Sequence, residues 1–240
     1  TMAPRIITGE STKRIRWMVT LQGGLEALFR TRRDVLIAGG VPWYTHPAKS
    51  DSATPDVFVA FGVVRGERTA SRQWDEANVV PQVVFDVIVP GMSMVTICRR
   101  LKFYERAGVE EYYMYDPDTN ETMGWLHNGS HFEEIDTLAG WHSPRLGVQF
   151  SIEEGELVLS RPNGERFMSY VELAELYERD HERAQQEHER AEQERARADH
   201  HAAREKMLIA RLRALGFNPD DVTADNFADS IDTSERAAVE

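Results

Sequence analysis

Apolar and polar positions along the chain change period several times, and each change marks an element. From residue 11 to 33, Ile15, Met18, Val19, Leu21, Leu25, Leu28 and Phe29 recur at roughly helical spacing, with a flexible spot expected at Gly23-Gly24. Asp34-Val35-Leu36-Ile37-Ala38 before Gly39-Gly40 reads as a strand ending in a turn. Residues 44–54 read as loop, Val57–Val64 as a strand and Gly66–Asn78 as a polar loop holding Trp74. Val79–Val89 is apolar on both faces, so it belongs in the middle of a sheet. Ile97–Ala107 is an amphipathic helix with Gly108 as its C-cap. Glu111–Tyr115 is a strand stopped by Asp116-Pro117-Asp118, and Asn128-Gly129 joins Thr122–Leu126 to His131–Ile135 as a hairpin. Another hairpin is expected across Asn163-Gly164. Helix, strands, helix, strand and hairpins together predict an α/β (α+β) core with a mixed β-sheet.

The pattern alters at Ser169. Ser169 and Glu172 form a capping box, and from there to Leu215 the chain has no Pro or Gly. Ala184, Ala191 and Ala198 repeat every seven residues, with Leu173, Leu176 and Tyr177 before them and Leu208, Ile209, Leu212 and Leu215 after. A long charged C-terminal helix follows, either a coiled coil with a thin alanine seam or a single helix supported by i,i+4 ion pairs. Gly216 and Asn218-Pro219-Asp220 end it. The expected organisation is a folded domain over 1–168, a helix over 169–216 and a loose acidic tail over 217–240.

Charge sharpens that division. Of the 240 residues, 28 are Lys or Arg and 40 are Asp or Glu, for a net charge of −12. Residues 169–240 carry −8 of it, whereas the first 50 residues are net +5 and include Lys13, Arg14, Arg16, Arg30, Arg32 and Arg33. That segment offers a basic face for nucleic acid, or simply solvated charge. The single Cys98 excludes an internal disulfide and a multi-cysteine metal site. No run approaches the roughly 18 apolar residues of a membrane span, and a cytoplasmic protein is expected. His188, His200 and His201 read as part of a polar helix face, and Gly62-Val63-Val64-Arg65-Gly66 lacks the Lys and Ser/Thr of a phosphate loop.

Two acids stand out against this background. Asp56 heads the apolar run Pro55-Asp56-Val57-Phe58-Val59, and Asp86 interrupts Val83-Val84-Phe85-Asp86-Val87-Ile88-Val89. A charge inside a β-branched strand is costly to bury without a partner. On adjacent strands the pair would make a site for a hard cation, held by carboxylates and completed by water and phosphate oxygens. The plainer alternative is one buried, hydrogen-bonded Asp and one solvated turn Asp.

These runs, with Lys102–Asp118, Trp125, Gly140–Gly147, Arg161–Phe167 and the tail ending Leu212–Asp220, resemble the Uma-type restriction endonuclease family of the PD-(D/E)XK nuclease superfamily over nearly the whole chain. The resemblance implies a restriction-endonuclease-like mixed sheet flanked by helices, and a Mg²⁺-dependent (or Mn²⁺-dependent) DNA endonuclease. A homodimer joined by the helical tail is expected as well, because cutting both strands of a duplex favours paired sites. The resemblance makes Asp56 and Asp86 the metal ligands, with a backbone carbonyl of Val87 or Ile88 beside them. Arg100 occupies the place of the family's lysine, and Lys102 is a substitute two residues on. The chain departs from the family pattern at Asp86 (usually Glu), Arg100 (usually Lys), Val89 (usually Ser) and Thr96 (often Glu). Arg keeps the charge of Lys but cannot give up a proton. Glu26 on the first helix is a weaker third carboxylate. The alternative function is a catalytically degenerate nuclease fold serving as a nucleic-acid-binding or assembly module.

Overall fold

The structure is a computed structural model that describes residues 12–48 and 52–216. The chain starts with α1 (Thr12–Leu28), β1 (Val35–Gly39), the two-residue strands β2 (Trp43–Tyr44) and β3 (Ser52–Ala53), then β4 (Val57–Phe61). The two-residue strand β5 (Ser71–Arg72) precedes β6 (Val83–Val87), α2 (Met94–Ala107) and β7 (Glu111–Asp116). Then come β8 (Glu121–His127), β9 (Phe132–Glu134), β10 (Gln149–Glu153), β11 (Glu156–Ser160) and α3 (Tyr170–Ala214).

Six strands form the main sheet in the order β1-β4-β6-β7-β8-β9. Every pairing in it is antiparallel except β6 with β7, which are joined by α2 as a crossover unit. A mixed sheet with helices on both faces is the expected α+β architecture. Strand alternation divides its core. Val35, Ile37, Val57, Val59, Val83 and Phe85 pack with Leu21 and Leu25 of α1 and with Phe150, Leu157 and Leu159 of the β10–β11 hairpin. Leu36, Ala38, Phe58, Ala60, Val84, Tyr112 and Met114 face Phe103 and Tyr104 of α2, together with Trp43.

Several local signals act as expected. Gly108 caps α2 in the left-handed conformation (φ 86°), which a side chain would strain. Ser169 and Glu172 exchange side chain and backbone hydrogen bonds at the head of α3. Other expectations are corrected. α1 stops at Leu28, short of residue 33, and the chain turns with Arg32 N donating to Phe29 O (2.9 Å). The residues expected as loop over 44–54 and 66–78 hold β3, part of β2, and β5, which join as a small sheet in the order β3-β2-β5. The hairpin expected across Asn163-Gly164 does form, as a short one with Arg161 N donating to Glu165 O, Phe167 N donating to Leu159 O and Ser160 opposite Arg166, but a longer one, not expected, turns just before it at Glu154-Gly155. Glu154 takes a positive φ of 52° without the Asn or Asp that usually marks such a turn.

The expected flexible spot at Gly23-Gly24 is a continuous stretch of helix. A Cβ on Gly24 would meet Phe167 Cδ2 at 2.2 Å, whereas one on Gly23 would meet nothing within 4 Å. Gly24→Ala is therefore expected to lower stability by roughly 1 to 3 kcal/mol through overpacking. Gly23→Ala is expected to raise it by up to about 1 kcal/mol through helix propensity. Urea unfolding of the two variants checks both signs.

The chain divides into two compact units, residues 1–174 and 175–240. In the second, the helix is exposed along its described length, with only Leu176 and Ile209 partly covered. At 1.5 Å per residue, the 45 residues of α3 extend about 67 Å. Residues 217–240 lie outside the described residues. No helix among the described residues is long and apolar enough to cross a membrane.

Candidate functional site

The ladder between β4 and β6 pairs Val57 with Phe85, so the next step along it sets Asp56 opposite Asp86. Both carboxylates are buried, at 0% and 3% exposure. They are cross-linked through the backbone. Val87 N donates to Asp56 Oδ2 (2.6 Å), and Asp56 N donates to Asp86 Oδ1 (3.1 Å). The side-by-side placement that the two apolar runs only allowed is thus realised.

Each acid also meets a guanidinium. Arg14 of α1 donates to Asp56 Oδ1 through both Nε (3.0 Å) and Nη2. Arg100 of α2 brings Nη1 to 2.7 Å from Asp86 Oδ1, a charge contact whose N–H is not aligned for a hydrogen bond. Tyr112 donates its hydroxyl to Asp86 Oδ2 (2.9 Å). Two carboxylates and two guanidinium groups make a neutral set, which is what a buried charge cluster requires. Burial pushes the Asp86 carboxyl above its ordinary value; the charge on Arg100 opposes this and the charge on Asp56 adds to it. Burial works against the charge on Arg100, but Asp86, then Tyr104 and Asp56, outweigh it and raise the guanidinium pKa. Burial also raises Tyr104 and Tyr112 well above the ordinary phenol value, so both hydroxyls stay neutral. Tyr104, one helical turn beyond Arg100, is fully buried, and its hydroxyl has no well-aligned hydrogen-bond partner among the described residues.

Of the sequence-predicted residues, the structure gathers Asp56, Asp86 and Arg100. Lys102 is exposed and lines a groove with Arg99, Arg100 and Arg106, but of these only Arg100 also reaches Asp86. Glu26 accepts from Gln22 Nε2 (3.0 Å) and stands 3.8 Å from Arg65 Nη2, in a hollow lined by Gly39 and Arg65. Three of the six basic residues of the N-terminal segment are committed elsewhere. Lys13 pairs with Asp118, Arg14 with Asp56 and Arg32 with Asp34. Sequence reasoning missed the role of Arg14, 42 residues from its partner, and of Tyr112. The one available signal for Tyr112 was its strand alternation with Met114, which pairs with Asp86.

A third buried acid stands apart. Glu111 opens β7 at 1% exposure and accepts from Tyr113 Oη (2.9 Å), Ser143 Oγ and Arg145 N (2.6 Å). These bonds tie the strand to the 143–148 segment. Burial raises the Glu111 pKa, and the hydrogen bonds only partly offset it. An acid raised on folding stabilises the fold below its unfolded value, near pH 4.5, and that contribution is lost as pH rises through the folded value. Glu111→Gln is expected to flatten the fall in stability as pH rises above 4.5, measured by thermal melts across that range.

A mixed sheet with a crossover helix and a flanking first helix belongs to the restriction-endonuclease-like class of folds. The chain is a member of the Uma2 family, described as "Putative restriction endonuclease", whose model matches residues 10–153. Families of this kind typically depend on a metal ion, and the match does not specify which. The chain is also similar to a crystal structure from Anabaena variabilis described as "a putative nuclease belonging to DUF820". The likeness is at 14% identity, over 57% of this chain and 75% of that one, with a TM-score of 0.44. No curated protein matches.

Two buried carboxylates facing each other across adjacent strands are oxygen donors that suit a hard cation. Among the described residues no third acid, His or Cys joins them. The remaining shell would therefore fall to backbone carbonyl, water and phosphate, and Arg14 would have to yield Asp56 Oδ1.

Proposed function

We propose that the protein is a Mg²⁺-dependent DNA endonuclease, with Mn²⁺ able to replace Mg²⁺, that hydrolyses phosphodiester bonds at the Asp56–Asp86 pair. The observation that carries this reading is the cross-strand placement of the two buried acids at the end of the β4–β6 ladder, within the family-matched segment. Asp56 and Asp86 would hold the ion. Bound there, it would supply a water of lowered pKa and polarise the scissile phosphate. Arg100, charged and fixed against Asp86, faces the developing negative charge on phosphate. It cannot serve as a base. Tyr112 holds the second Asp86 oxygen and so fixes the carboxylate plane.

The nuclease domain is assigned to residues 1–168, and the charged helix of 169–216 is assigned to homodimerisation through its alanine seam. Ala184, Ala191 and Ala198 are exposed, and α3 has no buried residue. Paired sites suit cutting both strands of a duplex. Residues 217–240 are acidic in composition, and the protein acts in the cytoplasm.

One feature favours the second reading, a degenerate nuclease fold that binds nucleic acid. Each carboxylate is already neutralised by a guanidinium. Supercoiled plasmid with Mg²⁺, Mn²⁺ or EDTA separates the two. Under the nuclease reading, wild-type protein converts plasmid to nicked and linear forms only with metal. Conversion by Asp86→Glu/Arg100→Lys but never by wild type would establish the degenerate reading instead.

A further inference from the structure

One flank of α2 lines an open groove of about 810 Å³, and its wall carries Arg99, Arg100, Lys102 and Arg106. Ser52, Ala53 and Thr54 form the facing wall, while Met94, Val95 and Phe103 add apolar surface. Arg99, Lys102 and Arg106 fall at i, i+3 and i+7 and so project from one side of the helix. All three are exposed, and no acid is among the described lining residues. In a chain of net charge −12, this is a concentrated positive strip.

Arg100 gives the groove its significance. It lines the groove and also stands 2.7 Å from Asp86 Oδ1, so the basic wall and the acid pair share one side chain. Met94 and Val95, 69% and 67% exposed, form an apolar lip where α2 begins.

We infer that this groove seats the sugar-phosphate backbone of duplex DNA, with Arg99 and Lys102 on successive phosphates and Arg100 at the junction with the carboxylate pair. The inference deepens the nuclease reading and rests on it for the identity of the polymer. It moves the binding surface from the N-terminal segment to α2. Phosphate contacts of this kind carry affinity without sequence choice, so the groove supplies register and leaves sequence preference to other elements.

The test is fluorescence anisotropy of a labelled DNA duplex at several salt concentrations, in EDTA so that nothing is cut. It compares wild type with Arg99→Gln/Lys102→Gln and with Arg30→Gln/Arg33→Gln. Each cation withdrawn from a phosphate reduces the slope of log K against log salt by about 0.9, so the α2 double variant is expected to lose about 1.8. At about 0.1 M salt that corresponds to roughly 50-fold weaker binding. A slope that falls in the Arg30/Arg33 variant and not in the α2 variant overturns the groove. So does wild-type protein that does not bind duplex at all. Failure of the nuclease reading looks different: wild type never cuts plasmid with metal, yet the α2 variant still loses slope.

Discussion

Asp56→Asn is expected to reduce metal-dependent plasmid cleavage by a factor on the order of 10³ or more, equivalent to about 4 kcal/mol in the barrier. The substitution keeps shape and volume. Its amide oxygen can still accept from Val87 N, which the carboxylate does at 2.6 Å. What it removes is one of the two negative charges that face each other at the end of the ladder, and with it the ion pair to Arg14. Leaving Arg14 opposite an amide costs about 2 kcal/mol, which lowers the melting temperature by roughly 4 to 8 °C and leaves the fold intact by circular dichroism. The loss of rate is therefore separable from a loss of protein. Cleavage within about tenfold of wild type, or roughly 1.4 kcal/mol, would remove Asp56 from the chemistry.

Arg14→Met should have the second large effect, and it is read without any cleavage. The guanidinium occupies Asp56 Oδ1 through Nε and Nη2. Met keeps an apolar stem of similar length and leaves a fully buried carboxylate with, among the described residues, the Val87 N–H as its remaining donor. Removing one partner of a buried pair costs about 3 to 5 kcal/mol; Arg14 is one-fifth exposed, so about 2 to 3 kcal/mol is expected in EDTA. If that oxygen belongs to a cation site, Mn²⁺ or Mg²⁺ then stabilises the variant more than wild type. At about 100 times the dissociation constant, bound ligand contributes about 2.7 kcal/mol. Equal metal-induced shifts in the two proteins would mean that Arg14 and the ion do not compete. Differential scanning calorimetry with and without metal measures both quantities.

Both effects depend on how the acid pair is held. The Asp86 carboxylate is bound by the Asp56 N–H and the Tyr112 hydroxyl. Arg100 reaches the same carboxylate with a wide, permanently charged group. The short acid thus meets a long cationic side chain, a pairing visible only with both residues in place.

The chain's local features were readable from residue order. The strands around Val57 and Val83, the helix closed by Gly108, the Asn128-Gly129 hairpin and the Ser169/Glu172 cap all follow from backbone sterics and hydrophobic period, which act over a few residues. Asp56 and Asp86 also stand out in the sequence, because a charge at the head of or within a β-branched run needs a partner if it is buried. Turns with atypical residues were not legible, as Glu154-Gly155 shows, since nothing in the local sequence marks Glu154 for its positive φ.

Long-range pairing was decided by the tertiary structure alone. Whether Asp56 stands opposite Asp86 depends on the register of β4 on β6, which is set by two cores packing on the sheet's two faces. Arg14 meets Asp56 across 42 residues because α1 lies on the sheet, and α1 can lie there because Gly24 admits Phe167. Arg100 rather than Lys102 reaches Asp86 because Phe103 and Tyr104 fix which side of α2 faces the core. Periodicity specifies the faces of an element. Only close packing between elements, each excluding the alternatives by volume, chooses which face meets which partner.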